Sequence, residues 1–280
     1  MIPPTSIDGT DITGATIDGT DVQEITVDGD VVFSAESLPV AYSNLIAWYP
    51  FDSSEYGGSN ADDVTAIFNP SQSGDSTAYD GTVQGATYQS SAGVTDINAG
   101  NNSGAYEFDG SDDKIDLGSN FSETSHTKCG WFKTSDNIEN QTVFGAYGLG
   151  SSKYTNLVLN RGPTDNRLTY IFDDGNVSAD IIIDVSYSTN DYSHAAITYD
   201  ASGSTNNCEL YVNGVSQDTA SKSSGLQMLG DEDELIGNVD TFGFLNGYVD
   251  DYRIYNKALS TAEIEQIVEN TQDPNAPVFP

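Results

Sequence analysis

Four acids in a row, Asp231-Glu232-Asp233-Glu234, are the first place to look for chemistry. Glycoside hydrolysis with retention needs two carboxylates about 5–5.5 Å apart across one bond. A strand supplies such a pair on alternate residues, with apolar residues between them. This run follows Gly230 and has no apolar residue interleaved, so it reads as a solvated loop leading into Leu235-Ile236-Gly237. His194 lies in an apparent strand, Tyr192 to Tyr199, and reads as a packed or edge histidine rather than a base. Nothing marks a nucleophile beside it, and the expectation is that the chain is not an enzyme. With two histidines, His126 and His194, and no CxxC pair around Cys129 or Cys208, no zinc site is suggested. Cys129 shares a strand face with Trp131, and Cys208 with Leu210 and Val212; whether the two cysteines pair is open.

Asp250 and Asp251 make a structural demand. Strict strand alternation puts Asp250 on the face of Tyr252 and Ile254, and Asp251 on the face of Val249 and Arg253. A carboxylate at the rim of an apolar face needs a partner, because a buried unpaired charge is costly. Arg253 then points the other way and Lys257 lies beyond the strand. Backbone amides or a bound cation are left as the partner for Asp250, and Asp251 is expected to matter little. Tyr147, Tyr154, Tyr187, Phe242 and Phe244 stand in Gly/Ser/Asn-rich contexts where an aromatic ring could hold a sugar, though each singly reads better as core.

The elements that must position these residues are short strands. Residues 1–35 carry a ten-residue repeat: Ser6-Ile7-Asp8-Gly9-Thr10, Thr16-Ile17-Asp18-Gly19-Thr20 and Thr26-Val27-Asp28-Gly29-Asp30. Each copy sets a β-branched residue before Asp-Gly, a strong hairpin signal. Three such copies cannot bury a core alone, so the segment reads as a module that attaches to something else. Residues 36–41 read as a linker and 273–280 as an irregular tail. Between them, short apolar alternations such as Leu45-Ile46-Ala47-Trp48-Tyr49 and Glu209-Leu210-Tyr211-Val212 recur between turn residues, the pattern of an antiparallel sandwich. One helix is clear: Ser260-Thr261-Ala262-Glu263 has the form of a capping box, and Ile264, Ile267 and Val268 supply an apolar stripe.

These fragments resemble a known family in order. Ile46-Ala47-Trp48-Tyr49-Pro50-Phe51-Asp52 is similar to its opening strand, and Asp80-Gly81-Thr82-Val83-Gln84-Gly85-Ala86 to the turn that follows. Ala105-Tyr106-Glu107-Phe108-Asp109-Gly110 and Leu210-Tyr211-Val212-Asn213-Gly214 also match. Gly247-Tyr248-Val249-Asp250-Asp251-Tyr252-Arg253-Ile254-Tyr255, running into the helix, resembles the closing signature of laminin-G-like, concanavalin A-like jelly rolls. The resemblance covers residues 42–272. It implies an all-β, two-sheet antiparallel jelly-roll sandwich with a short C-terminal helix, preceded here by the small β-repeat attachment module. It also implies carbohydrate or protein binding and a structural calcium ion (Ca). The residues that match that metal site are Asp250, Asp63, Asp62, Asp109 and the carbonyl of Gly104, although an insertion between Asp63 and Asp80 departs from the family pattern.

Charge narrows the setting. The chain has 280 residues, with 43 Asp+Glu against 9 Lys+Arg, and a formal charge of −34. The acids are 31 Asp and 12 Glu, and the bases 6 Lys and 3 Arg. That balance excludes an electrostatic nucleic-acid binder and argues against docking on anionic lipid. No apolar run reaches the roughly 20 residues that span a bilayer, and Met1-Ile2-Pro3-Pro4-Thr5 has no secretory character. Self-repulsion at −34 is screened only where the Debye length is short, about 3 Å in molar salt. The Asp-rich, Lys-poor balance resembles proteins of halophilic archaea and their viruses. The expected role is therefore a non-enzymatic protein of a haloarchaeal virion surface, as tail fibre or capsid decoration. It would be a homo-oligomer joined to other virion proteins through residues 1–35 and would recognise a host-surface glycan or glycoprotein. A secreted halophilic adhesin, a carbohydrate-binding module and a purely structural decoration are the alternatives.

Overall fold

The computed structural model describes residues 6–7, 10–11, 16–17, 20–21, 24–27, 30–34, 44–51, 60–61, 79–94, 104–118, 121, 124–134, 139–147, 153–161, 166–174, 181–187, 190–222, 233–239 and 242–272. The expected linker 36–41, the tail 273–280 and two of the expected metal ligands, Asp62 and Asp63, lie outside them.

Three hairpins come first: β1 (Ser6–Ile7) with β2 (Thr10–Asp11), β3 (Thr16–Ile17) with β4 (Thr20–Asp21), and β5 (Glu24–Val27) with β6 (Asp30–Ser34). Ile7 pairs with Thr10, Ile17 with Thr20 and Val27 with Asp30, so each Asp-Gly dipeptide spans a two-residue connection. Each hairpin is a separate two-stranded sheet.

The strands that follow are β7 (Leu45–Tyr49), β8 (Asn60–Ala61), β9 (Gly81–Gln84), β10 (Thr87–Gln89), β11 (Ala105–Asp109), β12 (Lys114–Asp116), β13 (His126–Thr134) and β14 (Gln141–Tyr147). They continue as β15 (Lys153–Leu159), β16 (Arg167–Asp174), β17 (Ile181–Ser186), β18 (Ser193–Tyr199), β19 (Cys208–Val212), β20 (Val215–Ala220), β21 (Asp233–Ile236) and β22 (Asn246–Tyr255), and α1 (Thr261–Gln272) closes the chain. They form two eight-stranded sheets with antiparallel strand pairs. The first runs β10-β11-β22-β13-β18-β19-β20, with β7 also paired to β22; the second runs β17-β16-β15-β14-β21-β12-β9-β8. This is the two-layer sandwich that the sequence pattern predicts.

The core between the sheets is apolar and aromatic: Tyr49, Phe51, Tyr106, Phe108, Phe132, Phe144, Leu157, Tyr170, Ile197, Leu210, Val249, Tyr252 and Ile254 are all buried there. The first sheet is also covered on its outer side. Leu45, Trp48, Cys129, Ala196, Tyr211 and Tyr255 meet Leu259, Ile264 and Ile267 of the helix segment, and Trp131 meets Val94 and Val268. That is why β7 and β18 are buried on both faces. Burying a side chain such as Ile264 or Ile267 contributes about 1.5–3 kcal/mol, enough to fix a helix that propensity alone would leave marginal. Its start is as the sequence predicts. The Glu263 amide donates to Ser260 Oγ (3.4 Å), and the Ser260 amide donates to Glu263 Oε2 (2.8 Å).

β22 departs from alternation. Cys129 pairs with Arg253 and Trp131 with Asp250, so Gly130 alone stands opposite Asp251 and Tyr252. This is a β-bulge, with Asp251 in the left-handed region (φ 49°) that Asp tolerates better than most residues. A Cβ at Gly130 would sit 3.3 Å from the Tyr252 Cα, so a glycine suits the close approach. The extra residue corrects the facial assignment of Asp250 and separates Asp251 from Val249, while Asp251 shares the face of Arg253 as expected. Val249, Tyr252 and Ile254 point into the sandwich, while Asp250 and Asp251 both lie on the outer side with Arg253.

Candidate functional site

The structure divides the expected metal ligands. The carbonyl of Gly104 and Oδ2 of Asp250 converge beside Gly93, where an added Cβ would lie 2.1 Å from the first and 2.7 Å from the second. Asp109 is elsewhere: it pairs with Asn246, four residues along β22 from Asp250. The Asp250 carboxylate accepts the Val94 amide on Oδ2 (2.9 Å) and the Asp251 amide on Oδ1 (2.8 Å). Calcium takes six to eight oxygens. Among the described residues the Phe51 carbonyl and the Tyr88 hydroxyl also crowd Gly104, and with Asp62 and Asp63 outside the description these donors are only part of the set such a site would need.

Asp109 instead joins Asp112 and Asp113, whose carboxylate oxygens lie within 4.8 Å of one another. Asp113 is buried and accepts the Asp109 amide (2.8 Å). Burial raises its pKa, the amide opposes that, and the neighbouring carboxylates add to it. Ser111 N–H caps Asp109 (2.8 Å), the pattern of a self-bonded turn.

Asp251, expected to be idle, is tied on all sides. It accepts the Trp48 indole N–H (2.5 Å) and Arg253 Nε (3.0 Å) on Oδ1, and lies 2.8 Å from Arg253 Nη2 through Oδ2. The Arg253 guanidinium also stacks 4.4 Å from the Trp48 ring. Burial raises the Asp251 pKa, and Arg253 and Trp48 pull it back.

The acidic run also differs from expectation. Glu234 is not on a solvated loop. It sits in β21, fully buried, 2.6 Å from Lys128 Nζ, and accepts the Tyr252 hydroxyl at 2.6 Å. Lys128 Nζ also donates to Thr155 Oγ1 (2.6 Å). The group links the two sheets through the middle of the sandwich. Burial pushes Lys128 below its ordinary pKa, against the pull of Glu234. Sequence alternation could not show this, because the partners are 106 residues apart.

The histidines are buried too. His194 lies edge-on to Trp131 (centroids 5.3 Å), and neither ring nitrogen finds a partner among the described residues. Burial lowers both His126 and His194 to about 3, so both are neutral at working pH. Cys129 lies in the outer core and Cys208 in the inner one, on opposite faces of one sheet, and both are free. Of the aromatics, Tyr187 packs on Phe132, Phe242 and Phe244 are half-buried, and the side chains of Tyr147 and Tyr154 lie outside the description.

A polar cleft that sequence reasoning missed lies on the outer face of the first sheet, with a cavity volume of about 330 Å³. Its floor is Thr198, Glu209 and Tyr211, on paired strands β18 and β19. One wall is the loop Asp200–Asn207, the other the approach to α1 at Ala258–Thr261. The loop is braced. The Asp200 amide donates to the Asn207 carbonyl (2.8 Å), and Asn207 Nδ2 donates to the carbonyls of Asp200 (3.1 Å) and Gly203 (3.0 Å). Asn207 Oδ1 accepts the Lys222 amide (2.7 Å). The only sequence signal was the Asn206-Asn207 pair, with Asn206 left-handed at φ 49°.

Comparison with known proteins agrees with the fold. Residues 109–265, more than half of the chain, match the Laminin_G_3 family, described as the concanavalin A-like lectin/glucanases superfamily. Among solved structures, domain 4 of AbnA, a GH43 extracellular arabinanase of Geobacillus stearothermophilus in complex with arabinotriose, is 18% identical. Its TM-score is 0.56, covering 80% of this chain and 98% of that one. The botulinum neurotoxin serotype D ligand binding domain in complex with N-acetylneuraminic acid is 18% identical, with a TM-score of 0.57 over 81% of this chain and 51% of its own. The receptor binding domain of botulinum neurotoxin D is 16% identical, with a TM-score of 0.57 over 81% and 53%. The chain thus spans about half the length of the toxin domains. No curated protein matches in sequence. With its two-sheet sandwich and its closing strand running into α1, the chain belongs to the Laminin_G_3 family of concanavalin A-like proteins.

Proposed function

We propose that the protein is a non-enzymatic recognition module that binds a glycan through its sandwich. The observation that carries this reading is how the chemistry-bearing groups are spent. Glu234 is locked to Lys128, Asp251 to Arg253, and both imidazoles are buried and neutral, while a braced polar cleft stays open. Groups buried in ion pairs stabilise and do not transfer protons to a substrate. The arabinotriose complex of the AbnA domain and the N-acetylneuraminic acid complex of the toxin domain support glycan as the ligand class. The charge of −34 supports a salt-rich medium, and the N-terminal hairpins support attachment to other proteins, together favouring the surface of a haloarchaeal virion.

The test is a glycan array with the whole chain in molar salt. Saturable binding to a defined glycan is expected, and uniform silence across neutral and acidic glycans overturns the reading. Dialysis below about 0.1 M salt, where the Debye length reaches about 10 Å, should lower the melting temperature. An unchanged melt removes the argument for a salt-rich habitat and leaves the array result to stand or fall alone.

A further inference from the structure

We propose that the outer-face cleft between the Asp200–Asn207 loop and the start of α1 is the glycan site, and that it takes a neutral saccharide of one or two sugar units. This rests on the glycan reading above and adds the place and the ligand class.

Size comes first. At about 330 Å³ the cavity stands at the lower end of the roughly 300–1,000 Å³ typical of small-ligand pockets. That suits a chain end or a short branch rather than a long polymer. Rigidity comes second. The loop is pinned by Asn207, and the Asp200 carboxylate accepts both the amide and the hydroxyl of Ser202 (2.9 and 2.7 Å). The opposite wall is fixed by the Ser260–Glu263 capping box. A preformed wall loses little entropy on binding.

Chemistry comes third and sets the class. The lining offers the carboxylates of Asp200 and Glu209, the amide of Asn206 and the hydroxyls of Thr205, Ser260 and Thr261, and no basic residue. Sugar hydroxyls both donate and accept, so they can satisfy carboxylate, amide and hydroxyl partners together. An acidic sugar would bring its charge against two carboxylates without a counter-charge. The nearest ammonium in sequence, Lys257, is already 2.5 Å from Glu263. An apolar ligand would find too little apolar wall. A calcium ion needs six to eight oxygens, more than the two carboxylates of this cleft supply, so a cation is kept as an outcome of the test below.

The experiment uses the full chain in molar salt. The array presents neutral oligosaccharides, arabinotriose and lactose among them, beside sialyllactose and trigalacturonate. The best hit is then titrated calorimetrically against Glu209→Gln, Asn206→Gly and the distant control Asp112→Asn. Glycine keeps the left-handed backbone at 206 while removing the amide. The expected result is a neutral hit that weakens at least tenfold in Glu209→Gln and Asn206→Gly, with unchanged melting and no change in the control. Glycan binding that both cleft variants leave intact overturns the site and spares the glycan reading. A hit confined to acidic glycans overturns the ligand class. Calcium binding lost in the same variants, without glycan binding, replaces the sugar with a cation. Silence across the array overturns the site together with the reading on which it rests.

Discussion

The outer face of the first sheet carries acids in two settings that could hardly be less alike. Under the helix, Asp251 is buried among Trp48, Arg253 and the β22 bulge. At the cleft, Glu209 stands on the same face, accepts the Ser216 hydroxyl, has the Tyr211 hydroxyl beside it, and lines the open cavity. Both are carboxylates on strands of one sheet, β22 and β19, with β13 and β18 between them, and the difference is solvent. Where water is excluded, every charge must be matched within the fold, so it becomes structure. Where water is admitted, a charge can stay partly unmatched and available to a ligand.

The largest expected effect breaks that contrast directly. Asp251→Ala removes the carboxylate that the buried Arg253 guanidinium and the Trp48 N–H share. Removing one partner of a buried pair costs about 3–5 kcal/mol. Glu209→Gln should cost less than about 0.5 kcal/mol, as surface changes do. Chemical denaturation of both variants measures the gap, and equal losses would show that the cleft carboxylate is structural as well. The same logic applies to Lys128–Glu234. Lys128→Met alone should be strongly destabilising, whereas Lys128→Met with Glu234→Leu should recover much of the loss.

How far the sequence reaches follows the same division. The capping box at Ser260 and Glu263, the closing strand and the sandwich strands follow local periodicity, and local periodicity is visible in a sequence. The bulge at Asp251 is not, because one inserted residue shifts every later side chain without altering composition. Reading through it assigned Asp250 to the inner face and left Asp251 without a task. Glu234 escaped for another reason: its neighbours in sequence are acids, and its partner Lys128 comes from the opposite sheet. The cleft escaped because a loop of Gly, Ser, Thr and Asn looks like any other until its bracing by Asn207 is seen.

A smaller effect sharpens the comparison at Asp250, one residue from Asp251. Its two oxygens accept amides of Val94 and Asp251, and hydrogen bonds to a charged group contribute about 1.5–3 kcal/mol. Asp250→Ala should therefore destabilise by about 1–3 kcal/mol whether or not calcium is present. A thermal melt with calcium and with a chelator checks it. A stabilisation by calcium that vanishes in Asp250→Ala would show that residues outside the described set complete a metal site there, and would move Asp250 from bracing to ligation.

The smallest effect concerns protons, and its sign can be worked out. His126 and His194 are held near 3 by burial, against an ordinary value of 6.5. Above pH 6.5 both are neutral in the folded and unfolded chain, and they add no pH dependence. Between pH 6.5 and about 3 the unfolded chain takes up protons that the folded chain refuses, so stability falls as pH falls. At pH 5 the loss is up to about 2 kcal/mol for each histidine. Asp113 and Asp251, whose pKa values burial raises, work the other way at lower pH by protonating first in the folded state. His194→Phe keeps an aromatic ring against Trp131 and removes one of the two proton acceptors. Its stability profile between pH 7 and 5 should be flatter than that of the parent chain, by up to the amount assigned to one histidine. A profile parallel to the parent's would mean that His194 takes up its proton in the folded protein at the same pH as in the unfolded chain, so that below pH 6.5 it is charged in the fold. Its imidazolium would then have to be paired with an acid on the outer face, and the rule that buried charge there is fully matched would need a further partner.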